Sequence, residues 1–413
     1  MRRFWTRLRD KFWVLPLVFA LAAALLGLGL TVLDDWLDTS LELPLLFAGG
    51  PEGARSLLSA IITSMISFTG LVFSITVVVL QLTSSQFSPR VLRTFLRDWF
   101  NQVALGVFVA TFVYSLVVLR AVRGTAETDT FVPQVSVTVA FGFVLASVAV
   151  FIFYIDHIAQ SIRAATIVTQ IGEDTRAVIG RTHPSDTRGL PGVAPPAGAG
   201  TRVTSEAPGV VQQVDGQGLL ELAEEHGVTI RVLRAVGEFV PEGADLFDVL
   251  GTAPPDAAAL RAQVLLGKER VLDDDPGFGL RQLVDIAERA LSPGINDPTT
   301  AVQVIDQLHD LLRRLAARPL PGWQTFGEDD RVAVHVPRAT FEDHLHLAVD
   351  EIARWGADSP RVQRRLRVML VDVHEAALPE NRDAVARALR LLDHGSRSGA
   401  DAPTPLPTDD HLR

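Results

Sequence analysis

Eight residues carrying a hydroxyl, an amide or no side chain at all recur through the longest uncharged run of the chain: Ser56, Ser59, Thr63, Ser67, Gly70, Ser74, Gln81 and Ser85. At 100° per residue they fall within an arc of about 80°, a continuous small-and-polar stripe down one side of a helix. Thr69, Thr76 and Thr83 form a second, heptad-spaced line on another side. The chemistry open to such a stripe is uncharged hydrogen bonding, and two readings stand. Small residues let helix backbones approach, with each hydroxyl bonded to the carbonyl one turn back. Alternatively, several copies of the helix face a shared, water-lined axis. Gln81 is large for close helix contact and weighs toward the second reading. No Asp, Glu, Lys, Arg or His lies inside any of the long apolar runs. Pumps and voltage sensors need buried ionisable groups, so a passive pore or a plain anchor remains.

A second candidate site is the string "ALSPGINDPTTA", with Arg289, Ser292, Asn296 and Asp297 as residues for a ligand or partner. Ser292-Pro293-Gly294 suits a type II turn, Pro at its second position and Gly at its third. Asp297 can cap the following helix with Pro298 in its first turn. Turn chemistry therefore accounts for most of the loop, leaving Ser292, Ile295 and Asn296 as spare groups near a helix start.

Enzymatic and metal chemistry find little support. Cysteine is absent, which removes disulfides, thiolate nucleophiles and Cys-ligated zinc. In "FEDHLHL", Glu342, Asp343, His344 and His346 suggest a metal set extended by His374 and Glu375, but side chains two apart on a helix diverge. Lys268 lacks the upstream glycine and following Ser/Thr of a phosphate-binding loop. "DDDPG", Asp273 to Gly277, reads as a cap for the helix beginning near Phe278. No metal site, cofactor or catalytic residue is assigned.

The elements that must position these residues follow from hydropathy. Uncharged apolar runs at Trp13–Leu33, Ser56–Pro89, Trp99–Leu119 and Thr130–Ile155 each meet the roughly 20 residues a transmembrane helix needs. The first is longer than a signal-peptide core and is followed by three more, so it reads as a span. Arginine-rich flanks at Arg2–Lys11 and Arg90–Arg97, against an acidic first loop, place both termini in the cytoplasm. Beyond Asp156 the chain holds 27 basic residues against 38 acidic, a balance that repels nucleic acid.

The domain reading is a four-helix transmembrane domain over 1–160 and a cytoplasmic helical extension over 161–182, continuous with the fourth span. A Pro/Gly linker follows over 183–201, then a small β-rich, barrel-like module over 202–252. A mainly helical domain occupies 253–394, and 395–413 is a disordered tail by composition. The fold class is thus a membrane α-helical part plus a cytoplasmic α+β region. In the module, Val236 to Val249 has the spacing of half a biotinyl/lipoyl-like barrel, with Gly237 and Gly243 at turns and no carrier lysine. Helices are expected at Gln217–Gly227 and from Thr340, Pro360 and Pro379, with one strand at Arg331–Val336.

"SSQFSPRVL" after the second span, "IDHIAQSI" after the fourth and "ALSPGINDPTTA" together resemble the bacterial membrane proteins grouped as domain of unknown function 2254. The resemblance covers nearly the whole chain and implies a multi-pass inner-membrane protein with a cytoplasmic C-terminal region. It implies no activity, substrate or catalytic residues. The partners expected are the lipid bilayer, further copies of the same chain and a cytoplasmic protein, with two functions in view: an oligomeric passive channel with a cytoplasmic gating domain, or a non-conducting scaffold or sensor.

Overall fold

The computed structural model describes residues 13–36, 46–86, 99–124, 131–161, 163–183, 194–329 and 332–395. The N-terminal basic run, most of "SSQFSPRVL", much of the Pro/Gly linker and the C-terminal tail lie outside them. Two compact units emerge, Met1–Arg163 and Ala164–Arg413.

The first unit holds α1 (Val14–Trp36), α2 (Pro51–Gln86), α3 (Trp99–Ala121) and α4 (Gln134–Ser161). Each carries a stretch long and apolar enough to cross a membrane: Val14–Trp36, Pro51–Gln81, Trp99–Ala121 and Gln134–Gln160. α3 is the most enclosed, with α1, α2 and α4 packed around it. Close approach of α1 and α3 depends on Gly106, where an added Cβ would stand 3.0 Å from the Phe19 ring. Leu25, Ile66, Phe73, Leu145 and Phe153 point outward, as helices bathed in lipid require.

Four polar links inside this unit run across helices. The Thr76 and Tyr154 hydroxyls lie 2.8 Å apart and join α2 to α4. Thr111 and Ser147, 2.9 Å apart, join α3 to α4. The Tyr114 hydroxyl donates to the Ser136 carbonyl at 3.0 Å. Asp34, in the last turn of α1, accepts from the backbone N–H groups of Val135 and Ser136 at 3.1 and 2.9 Å and from the Ser136 hydroxyl at 2.6 Å. A carboxylate from one helix thereby caps the first turn of another, where orphan N–H groups and the helix dipole both favour an anion.

The expected continuous helix after the fourth span is two helices. α4 stops at Ser161, the Arg163 N–H bonds to the Gln160 carbonyl, and α5 (Ala164–Thr182) begins anew in the second unit. Apolar periodicity alone reads through such a break, because both helices carry it.

The second unit continues with β1 (Thr201–Thr204), β2 (Gly209–Val214), α6 (Gly216–His226), β3 (Thr229–Val232), β4 (Phe239–Val240), β5 (Asp245–Leu250), α7 (Ala257–Arg261) and β6 (Val264–Gly267). No closed barrel forms among the described residues. The strands divide into a five-stranded sheet, β1-β5-β3-β8-β7, and a three-stranded sheet, β4-β2-β6. The physical reason lies far along the chain: β7 (Trp323–Asp329) and β8 (Val332–Pro337) complete the larger sheet, β8 running parallel to β3. Strand β7 was not anticipated; β8 was. The two sheets share one core, in which Val211 and Val240 of the smaller meet Ile230, Phe247 and Val334 of the larger, with Leu219 and Ala223 of α6 over them. Gly237 and Gly243 do turn the chain at positive φ, 93° and 78°. Asp248, fully buried on β5, is neutralised by Arg231 and accepts from the Gly200 N–H at 2.9 Å.

The helical part comprises α8 (Pro276–Leu291), α9 (Pro298–Ala316), α10 (Phe341–Trp355), α11 (Pro360–Ala376) and α12 (Pro379–Gly395), with α5 packed on α8 and α9. Leu280, Leu283, Ala287 and Ala290 form the buried face of α8, as the spacing indicates. Thr340 and Asp343 make a full capping box at the start of α10.

Replacing Asp34 by Ala should leave three donors at the start of α4 without their acceptor and cost about 1–2 kcal/mol. The thermal midpoint of purified protein in detergent should fall, and Asp34→Asn should fall less.

Candidate functional site

The stripe on α2 faces away from the bundle. Ser56, Ser59, Thr63, Ser67, Gly70, Ser74 and Gln81 are all exposed, and a Cβ at Gly70 would meet nothing within 4 Å. The Ser85 side chain lies outside the described residues. Two hydroxyls bond back along the helix, Thr63 to the Ser59 carbonyl at 2.9 Å and Ser67 to the Thr63 carbonyl at 3.1 Å. The threonines behave oppositely where described: Thr69 is half-buried and Thr76 is buried against Tyr154, while the Thr83 side chain lies outside the described residues. The side of α2 that packs into the bundle carries Leu58, Met65, Val72, Thr76 and Val79, and the stripe is free to meet lipid, water or another chain. At the same end of the unit as Gln81, Asn101 in the first turn of α3 is 2% exposed, and neither polar atom of its amide has a partner among the described residues.

The loop between α8 and α9 is tighter than the anticipated turn. The Ile295 and Asn296 N–H groups both donate to the Ser292 carbonyl, at 3.0 and 2.9 Å, and the Asp297 N–H donates to the Ala290 carbonyl at 2.7 Å. Gly294 does not take the left-handed conformation of a type II turn; Asn296 does instead, with φ 49°. Asn tolerates this region because its short polar side chain adapts locally. Asp297 accepts from the Thr299 and Thr300 N–H groups and the Thr300 hydroxyl, and these bonds hold its carboxyl below the usual range. Ser292 spends its hydroxyl on the Arg289 carbonyl at 2.6 Å. What remains outward is Ile295, the Asn296 amide and the Arg289 guanidinium, which makes no ion pair among the described residues.

The comparisons with known proteins bear on this arrangement. The family described as "Predicted membrane protein (DUF2254)" matches residues 9–372, which takes in all four apolar helices and the whole α8–α9 loop. The chain belongs to that family. An uncharacterized protein of Mycobacterium bovis and one of Mycobacterium tuberculosis are each 36% identical to it over 397 residues, covering 93% of this chain and 76% of theirs. No solved structure matches.

A third group of residues comes together only in the fold. His344 and His346, neighbours in "FEDHLHL", part company: His346 is exposed between Glu342 and Asp350, whereas His344 is 3% exposed and meets the His183 ring, centroids 6.3 Å apart. His183 opens the segment read as a flexible linker, yet its N–H still bonds to the Ile179 carbonyl. Arg318, just past α9, donates to the carbonyls of Ile179 and His183, and Arg338, between β8 and α10, donates to Gln324. Neither arginine pairs with a carboxylate among the described residues. Burial, then Arg338, His344 and Arg318, push His183 down to about 3. Burial also lowers His344, against the opposing pull of the Thr340 carbonyl, Asp275 and Asp343. Asp275 caps α8 through the Phe278 N–H and is itself held by Arg270 at 2.8 Å. No sequence motif marks this group, because each member sits at the end of a different element.

Both histidines bind protons more weakly in the folded chain than in the unfolded one. Their contribution to stability is complete above the ordinary imidazole value of about 6.5 and is lost as pH falls toward the folded values. The melting midpoint should therefore drop between about pH 7 and pH 5, and His183→Gln should flatten that dependence. In the loop, Asn296→Val should cost about 1–2 kcal/mol through left-handed strain, while Asn296→Gly should leave the midpoint nearly unchanged.

Proposed function

We propose that this chain is a multi-pass protein of a bacterial inner membrane, both termini cytoplasmic, that assembles with copies of itself through the polar face of α2. The shared axis of that assembly forms a passive, water-filled path, and the second unit regulates it. The observation that carries this reading is the outward direction of the α2 stripe. Seven small or polar residues are exposed along a helix that crosses a membrane, while the bundle's own contacts use the opposite face, with Leu58, Met65, Val72 and Thr76. Lipid offers such a face nothing that it does not offer leucine, whereas another helix offers close packing and water offers hydrogen bonds. Gln81 favours water in particular, since an amide in an apolar medium costs several kcal/mol, roughly 2–7, unless something bonds to it.

The second reading is a non-conducting scaffold or sensor, favoured by the exposed Ile295 and Asn296 at the α8–α9 loop and by the arginine–histidine group of the second unit. Single-channel recording in planar bilayers separates the two. Purified wild type should show discrete openings, and Ser67→Leu or Gly70→Leu should reduce or abolish them while leaving oligomer mass unchanged. A silent bilayer from correctly assembled protein would overturn conduction and leave the scaffold reading.

A further inference from the structure

Two polar groups inside the first unit, the Asn101 amide and the Ser115 hydroxyl, are 2% and 0% exposed and bond to nothing among the described residues. Both share one face of α3 with Phe108, which stands midway between them, because positions seven apart recur at nearly the same angle on a helix. That face looks onto α2 and α4. The Phe108 ring stacks on Phe68 with centroids 6.4 Å apart and meets Phe151 edge-on at 6.4 Å, while Phe68 and Phe151 are 4.9 Å apart. Three helices thus contribute one ring each to a single apolar layer.

Hydroxyl groups flank this layer on both sides. Toward the C-terminal end of α3, Thr111 and Ser147 stand about one turn from Phe108 and Phe151, and Ser115 is a further turn along. The Thr111 hydroxyl donates to the Val107 carbonyl at 2.8 Å, so the Ser147 hydroxyl donates to Thr111 and its oxygen keeps room to accept. Toward the N-terminal end, Tyr154 is about one turn past Phe151 and 2.8 Å from Thr76, and Asn101 belongs to the same end. A hydroxyl or amide sealed in an apolar interior without a partner is costly, and buried water is the common remedy, bridging neighbouring polar groups. Each side of the layer offers such groups, and the three rings offer none. No carboxylate, amine, guanidinium or imidazole lies on α3 between Asn101 and Ser115, on α2 between Phe68 and Thr76 or on α4 between Ser147 and Tyr154. The stretch therefore has nothing to balance an ion, whereas hydroxyls and water suffice to pass a proton.

We propose that each bundle contains a proton path of its own, separate from the α2 face. Water held at Ser115 and at Asn101 and the Thr111–Ser147 and Thr76–Tyr154 hydroxyl pairs form its two halves, and the Phe68–Phe108–Phe151 layer closes it. A proton enters one oxygen as that oxygen's own proton passes to the next, so only O–H bonds are exchanged and no residue is left with an altered charge. With the rings in place the layer is a dewetted barrier. Displacing one ring admits a file of water and joins the halves, in a passage too narrow for a hydrated ion.

The test is proton entry into liposomes holding the full-length protein, followed with a trapped pH-sensitive dye after an external acid jump, with potassium flux measured in parallel. All variants carry Ser67→Leu, which removes flux along the α2 axis, so failure of that reading and failure of this one are distinguishable. Phe108→Ala should raise proton entry at least about tenfold over Ser67→Leu alone and leave potassium flux unchanged. Adding Ser115→Ala or Asn101→Leu should reverse most of the rise, whereas Leu116→Ala, on the exposed side of α3, should not. Should Phe108→Ala fail to assemble, Phe68→Ala, at a half-buried ring, is the second variant, with a rise in the same direction expected. Proton entry unchanged by both ring truncations, a rise that Ser115→Ala and Asn101→Leu leave intact, or an equal rise in potassium flux would each overturn the proposal.

Discussion

Every hydrogen-bonding group that enters hydrocarbon must find its partner within the protein, because lipid supplies none. The first unit is arranged around that constraint. Asp34 leaves α1 to serve the N-terminus of α4, Thr76 reaches Tyr154, Thr111 reaches Ser147, and Tyr114 turns its hydroxyl to the backbone at Ser136. All four of these links end on α4, so the polar contacts select which helices adjoin where apolar contacts alone would allow several arrangements. Close approach at Gly106 then lets α3 sit at the centre of the bundle. Against this background the same accounting stays open, among the described residues, at the exposed α2 stripe, the Asn101 amide and the buried Ser115 hydroxyl.

In the second unit the organising link is different. Strands β1 to β6 lie within 67 consecutive residues, from Thr201 to Gly267, and local antiparallel pairing joins most of them. The larger sheet is finished by β8, paired in parallel with β3 from about a hundred residues away. That pairing ties the sheets to the helical part, because β8 runs directly into Arg338 and the capped start of α10. The same junction gathers the ends of α5, α8, α9 and α10, and with them the arginine–histidine group.

Helical periodicity and capping chemistry were legible from one chain. The four apolar runs, the buried face of α8, the Asp275 and Asp297 caps and the proline-led starts of α11 and α12 rest on residues within one or two turns of each other. The α8–α9 loop shows where local rules stop. A Ser-Pro-Gly string points to positive φ at the glycine, yet the chain must also deliver Asp297 to its cap while its N–H reaches the Ala290 carbonyl, and this moves the left-handed residue to Asn296. The half-barrel reading failed for a related reason: valine alternation marks a buried strand face but carries no information about which distant strand will share the sheet.

The sequence by itself determined that this chain has four helices able to cross a membrane, where its helices are capped, which side of α2 is polar, and which family it belongs to. All of these depend on residue type and on spacing along a single element. Only the tertiary structure decided that the polar side of α2 faces out while the side carrying Thr76 faces in, since that depends on which neighbour each helix meets. It also decided that His183, Arg318, Arg338 and His344, spread over more than 160 residues, stand together. Their shared environment is set by burial and by one another's charge, and neither quantity exists until the chain has folded.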